Sequence, residues 1–176
     1  MISLSKFFRS QPDPREVRRP LWDAVVATAR APHWYAQGTV PDTLDGRFDM
    51  VSLVLALVLH RIDDDPAYGL AGVQLTELFV NDMDGQMRQI GFGDMVVGKQ
   101  VGRMMSALGG RLGAYRAADG SVELRSALVR NLWRGQEPAQ AGLAHVMTEV
   151  AALRAALAAR PVSDLVVADA LGGAER

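Results

Sequence analysis

The side chains in this chain that are able to do chemistry are few, and their spacing does not suit it. Asp82, Asp84 and Asp94 gather three acids in one stretch, and Asp82-Met-Asp-Gly85 resembles the middle of a calcium loop. With Gly85 at the sixth position of such a loop, however, the first ligand falls on Val80 and the twelfth on Gly91, and neither has a carboxylate. His33, His60 and His145 are scattered, none with another histidine or a cysteine at ligand spacing, so no zinc site is expected. Gly91-Phe-Gly93 is followed by Gly98, not by a glycine three residues on, and no strand precedes it, so it is not a dinucleotide fingerprint. Ser106 and the other hydroxyls lie near no histidine in sequence, which neither excludes nor suggests a triad. The chain has no cysteine, which rules out disulfides, thiol catalysis and thiolate metal sites and fits a reducing compartment. The residues therefore predict a protein that is not an enzyme and carries no metal and no cofactor.

The elements that would have to position any site are helical. From Arg47 to Ile62 the chain runs through a stretch in which, between Met50 and Leu59, only Ser52 is not apolar. At helical pitch that leaves no face for water, so this segment must be surrounded by the others. It is short of the roughly 20 apolar residues needed to cross a bilayer, and Asp49, His60 and Arg61 bracket it, so a buried core helix is predicted rather than a span. Around it, 176 residues at 49% hydrophobic suffice for one substantial core, and no strand alternation or internal repeat appears. The expected architecture is an all-α, single-domain bundle of about six to seven helices, with residues 1–12 a flexible basic arm, 13–160 the helical domain and 161–176 a partly disordered tail.

Individual boundaries follow from caps and breakers. Asp13-Pro14-Arg15-Glu16 has the form of a capped first turn, Pro20 interrupts or restarts it, and Leu21, Trp22, Val25, Val26 and Ala29 form a face for the core helix. Trp34 and Tyr35 read as a lid over the bundle end, and Asp42 or Asp45 as the cap of the core helix. Asp65 and Pro66 open a helix that carries its apolar period to a Gly91 C-cap, with a break near Gly85 and Asp94 capping the next helix. In the segment from Met95 to Ala118, Val97, Val101, Met104, Met105, Leu108, Leu112 and Tyr115 make an apolar stripe, while Lys99, Gln100, Arg103 and Arg111 take much of the polar arc. Between them Gly98, Gly102, Ser106, Gly109, Gly110, Gly113 and Ala117 fall together. A helical glycine costs up to about 1 kcal/mol relative to alanine, so this arc implies close approach of another backbone, either a helix of the same domain or a segment of a different protein. Two further helices follow, one inward on Leu124, Leu128 and Leu132, the other on Leu143, Val146, Val150, Leu153 and Leu157.

Several motifs occur in order along the chain: Trp22, Ala29-Arg30, Trp34-Tyr35, Val40-Pro-Asp-Thr-Leu-Asp-Gly-Arg-Phe-Asp-Met50, Phe79-Val-Asn-Asp-Met-Asp84, Arg88, Gly91-Phe-Gly-Asp94, Val97-Gly-Lys99 and Leu128-Val-Arg-Asn-Leu-Trp133. Taken together, over roughly residues 18 to 155, they resemble the ubiquinol-cytochrome c chaperone family in its bacterial form. The resemblance implies an all-helical assembly chaperone that binds newly synthesised cytochrome b, or an assembly intermediate of it, during biogenesis of the cytochrome bc complex. It also leads to Trp34, Tyr35, Arg47, Asp82, Arg88, Lys99 and Arg103 as the set expected to include the exposed partner-facing residues. Nineteen basic against twenty acidic residues argue against a specific nucleic-acid partner, while Lys6, Arg9, Arg15, Arg18 and Arg19, with Phe7 and Phe8, suit peripheral contact with a membrane or ribosome. A monomer or weak dimer in the cytoplasm, peripheral at the cytoplasmic face of the inner membrane, is expected. The alternative is a generic helical interaction or regulatory module without a respiratory client.

Overall fold

The computed structural model describes residues 13–89, 91, 94–118 and 120–167, and the basic arm at 1–12, the end of the tail at 168–176 and Phe92 lie outside them. Six long helices and two short ones form the bundle, and no strand is present among the described residues. In chain order they are α1 (Arg19–Ala29), α2 (His33–Ala36), α3 (Leu44–Asp63), α4 (Gly69–Gln89), α5 (Asp94–Arg116), α6 (Ser121–Leu132), α7 (Gln140–Ala158) and α8 (Val162–Val167).

α3 is the axis of the fold, as its composition requires. Every residue from Asp49 to Leu59 is buried, and the expected cluster of Val51, Val54, Leu55, Val58 and Leu59 lies inside together. α1 and α5 run along it, and α4, α6, α7 and α8 complete the sheath. The α1 face of Leu21, Trp22, Val25 and Ala29 is buried against it, and Trp22 meets Phe79 edge to face with centroids 6.0 Å apart. The start of α3 differs from the sequence expectation. Its cap is Thr43, whose extended backbone lets Oγ1 accept the Gly46 N–H at 3.1 Å, while Asp42 is engaged by Arg47 at 2.6 Å and Asp45 by Arg134 at 2.9 Å. A Cβ on Gly46 would sit 1.9 Å from the Pro41 carbonyl oxygen, so only glycine lets the helix begin beneath this turn.

Local contacts set the other boundaries. The Asp13 carboxylate is taken by Arg15, through its backbone N–H at 2.9 Å and its guanidinium, so the chain makes a 3-10 turn at Glu16–Arg18 and α1 starts only at Arg19, next to Pro20. Asp65 caps the 3-10 turn Pro66–Tyr68 by accepting the Ala67 N–H at 3.0 Å, and α4 then runs unbroken through Gly85. Gly91 does close α4, with a φ of 93° and its N–H donated to the Arg88 carbonyl at 3.0 Å. Asp94 is the first residue of α5, and its side chain lies outside the described set.

α7 is the one described helix long and apolar enough, by length and composition, to cross a membrane, whereas α3 was the candidate weighed from the sequence. In the bundle, Leu143, Val146, Val150 and Leu157 of α7 are buried. The segment after Pro161 is ordered as α8, with Val162, Leu165 and Val166 in the core. Arg18 ties this end to the beginning, donating to the Val166 carbonyl at 2.5 Å and to the Gln74 side chain at 3.1 Å.

Candidate interaction surface

α5 packs against α3, with α4 and α6 beside it. On the α3 side Asp49, 1% exposed, forms an ion pair with Arg111, whose guanidinium also lies over the Phe48 ring at 5.4 Å. The second Asp49 oxygen is 3.7 Å from Arg134, and the Tyr115 ring is buried in the same region. Burial pushes the Asp49 carboxyl above the ordinary carboxylate range, and the charges of Arg111 and Arg134 pull it back. Burial likewise raises the Tyr115 hydroxyl. This charged clasp was not read from the sequence, where Arg111 stood among the polar residues of its helix.

The other side of α5 is open. An ideal Cβ built on Gly98, Gly102, Gly109, Gly110 or Gly113 has nothing within 4 Å, so the glycine arc does not receive a helix of this domain. That half of the sequence expectation is corrected, and the reason is geometric: the arc lies to the side of the seam that α5 makes with α3. Beside it, between α4 and α5, runs a groove of about 620 Å³. Leu59 forms its floor, Val73, Thr76 and Val80 one wall, and Met105, Leu112 and Gly113 the other. Val73 is 54% exposed and Leu70, at the head of α4, 68%. Within the apolar stripe of α5 only Val97, Leu108 and Tyr115 are buried, while Val101, Met104, Met105 and Leu112 are half-buried. A concave apolar surface bordered by exposed helical backbone suits packing of another helix.

The residues singled out from the sequence divide by what they touch. Trp34 is not exposed as expected: at 2% exposure, with Nε1 donating to the Thr28 carbonyl at 2.7 Å, it belongs to the core. Tyr35 is half-buried and its hydroxyl donates to the Ala29 carbonyl at 2.9 Å, so the two aromatics close the bundle end as a lid. Asp82 is half-buried and accepts the Trp22 indole N–H at 2.5 Å, with Arg19 at 3.4 Å. Arg47 is exposed in its pair with Asp42, and Arg88 is exposed beside Asp84 at 2.7 Å. Lys99 and Arg103 are exposed on α5. Asp82 and Asp84 are thus committed to different neighbours and do not converge on a reacting centre.

The histidines are not as isolated as their sequence positions imply. His33 Nδ1 and His145 Nε2 lie 3.0 Å apart between α2 and α7, where a Cβ on Gly142 would fall 2.4 Å from Thr39 Oγ1. Burial lowers the His33 pKa, and the Glu149 charge partly restores it. His60 is also lowered by burial, and its Nε2 is 3.0 Å from the Leu112 carbonyl. Among the described residues no group of three His, Cys, Asp or Glu side chains is placed to hold a metal. The described arginines mostly serve local carboxylates and carbonyls on several helices.

Comparison with known proteins adds to this geometry. The family model described as ubiquinol-cytochrome C chaperone matches residues 36–171. No curated protein matches the chain. Among solved structures, the chain is similar to the crystal structure of the Cbp3 homolog from Brucella abortus, at 31% identity over 88% of this chain and 87% of that one, with a TM-score of 0.76.

Proposed function

Because this chain belongs to the ubiquinol-cytochrome c chaperone family, we propose that it is an assembly chaperone that holds newly synthesised cytochrome b during biogenesis of the ubiquinol-cytochrome c reductase complex. The observation that carries this reading is the α4–α5 groove, apolar, open and bordered by the unoccupied glycine arc. Apolar helices of an unassembled membrane subunit need a temporary partner for surfaces that are later covered. Small residues let a client backbone come close, and the Met105 side chain adapts to surfaces of varied shape. The work is binding and release, with no bond made or broken.

The active unit in this proposal is the helical body from residue 13 onward, a monomer or weak dimer, with residues 1–12 a separate basic arm. It acts in the cytoplasm, peripherally at the cytoplasmic face of the inner membrane, where a cytochrome b intermediate is reached. Arg88, Lys99 and Arg103 are exposed on the two helices that flank the groove, and in this proposal they meet the client beyond the groove itself.

The test is genetic and biochemical together. Deleting the gene should lower assembled bc complex with its transcript unchanged, and Arg88→Glu with Arg103→Glu should weaken recovery of cytochrome b more than it lowers melting temperature. A deletion strain with normal haem-loaded cytochrome b under respiratory growth would replace this reading with a generic helical interaction module.

A further inference from the structure

We propose that the chain's own first twelve residues dock in the α4–α5 groove and occupy it until a client displaces them. The docking is independent of what the client is; its regulatory consequence rests on the groove being the client surface.

The described chain begins against α4, on the flank of that helix next to α8 and one residue round from the Val73 lip of the groove. The Gln74 side chain donates to the Pro14 carbonyl at 3.3 Å, and the Arg18 Nε donates to Gln74 Oε1 at 3.1 Å. Gln74 follows Val73 on α4, and Glu77, one turn on, lines the groove. Asp13 chiefly raises the Arg15 pKa, and the charge of Glu77 adds to it. From there twelve residues reach at most about 40 Å extended and about 18 Å as a helix. The α4 wall between Gly69 and Val80 is about 17 Å long at helical rise, so the segment is long enough to follow it in either form.

The composition of the segment is complementary to the surface. At helical pitch Met1, Leu4, Phe7 and Phe8 fall on one face and Lys6 and Arg9 on another. The groove offers Val73, Val80, Met105 and Leu112 to the apolar face and Glu77 to the basic one, the other two charges that line it, Asp63 and Arg116, being paired with each other. A groove filled in cis is protected from non-specific apolar contacts, and a client must compete with a tethered ligand at high effective concentration.

Disulfide trapping tests the docking directly, because the natural chain has no cysteine. In the full-length protein, Phe8→Cys is paired with Val73→Cys in the groove, or with Ala151→Cys, which is exposed on α7. With oxidised glutathione at dilute protein concentration, the intramolecular bridge to position 73 should form at least tenfold faster, and Lys6→Glu with Arg9→Glu should reduce that advantage several-fold. Equal rates for the two pairs overturn the docking. Equal rates together with co-sedimentation on phosphatidylglycerol vesicles, lost on deleting residues 2–12, would assign the segment to a membrane surface instead. The client reading is separated by testing the bridged protein for capture of cytochrome b. Capture undiminished by the bridge removes the client assignment of the groove and leaves the docking intact, whereas equal trapping rates remove the docking and leave the client assignment intact.

Discussion

Asp49 of the central helix and Arg111 of α5 form an ion pair from which water is almost excluded, the carboxylate side chain being 1% and the guanidinium side chain 15% exposed. Neither charge is tolerable in that position alone, and together they clasp α5 to the core along one edge and leave its opposite edge free.

Arg111→Met should therefore destabilise the protein by about 3 kcal/mol, because it leaves a buried carboxylate with only the more distant Arg134, at 3.7 Å, to offset its charge. Adding Asp49→Leu should recover much of the loss. The pH dependence has a definite sign. Asp49 is raised by burial, so between the ordinary carboxylate value near 4 and its folded value the folded state holds the proton more strongly, and its contribution to stability declines as pH rises. In Arg111→Met the pKa climbs further, so urea midpoints should fall more steeply with pH above about 4 than in the natural protein. A parallel pair of profiles would contradict this account.

Asp82 should behave as a structural residue. Its carboxylate accepts the indole N–H of Trp22, itself 0% exposed. Asp82→Ala leaves that donor unpaired and should cost about 1–3 kcal/mol, whereas Asp82→Asn retains an acceptor and should cost less. Thermal melts of the two variants decide it, and equal melting temperatures would mean that the indole finds another acceptor.

The open glycines of α5 predict an uncommon outcome, stabilisation by substitution. Gly102→Ala, Gly109→Ala and Gly113→Ala meet nothing within 4 Å, so each should raise stability by roughly 0.5–1 kcal/mol through helix propensity. Gly142→Ala, by contrast, places a Cβ 2.9 Å from the Gly38 carbonyl oxygen and should destabilise. If the α5 variants are more stable but recover less cytochrome b, the glycines are retained for the surface they expose.

Acidification should weaken the fold through the histidines. His33 and His60 both have pKa values lowered by burial, so below about 6.5 the unfolded chain takes up protons that the folded one resists. Their contribution is complete above that pH and is lost as pH falls toward the folded values. His33→Gln and His60→Gln should each flatten the denaturation midpoint between pH 7.5 and 5.5, and because Asp49 acts in the opposite sense the comparison must be made variant against natural protein. Unchanged slopes in both variants would show that neither histidine is linked to folding.

The sequence alone determined the helical class, the central position of the Arg47 to Ile62 stretch and the inward residues of α1, α6 and most of α7. Each of these follows from a local cause: apolar residues recurring at helical spacing must turn from water together, whatever they meet there. What they meet is a long-range matter. Asp49 finds Arg111 62 residues away, Trp22 finds Asp82 at 60, and His33 finds His145 at 112. Thr43 displaced Asp42 and Asp45 as the cap because Arg47 and Arg134 had engaged those acids, an outcome that depends on where α6 ends. The glycine arc on α5 was visible as a periodicity, but its facing open space was decided only by the side on which Asp49 draws Arg111 inward. Periodicity assigns a residue to a face of its helix; only the packing of helices against one another assigns that face a partner or leaves it free.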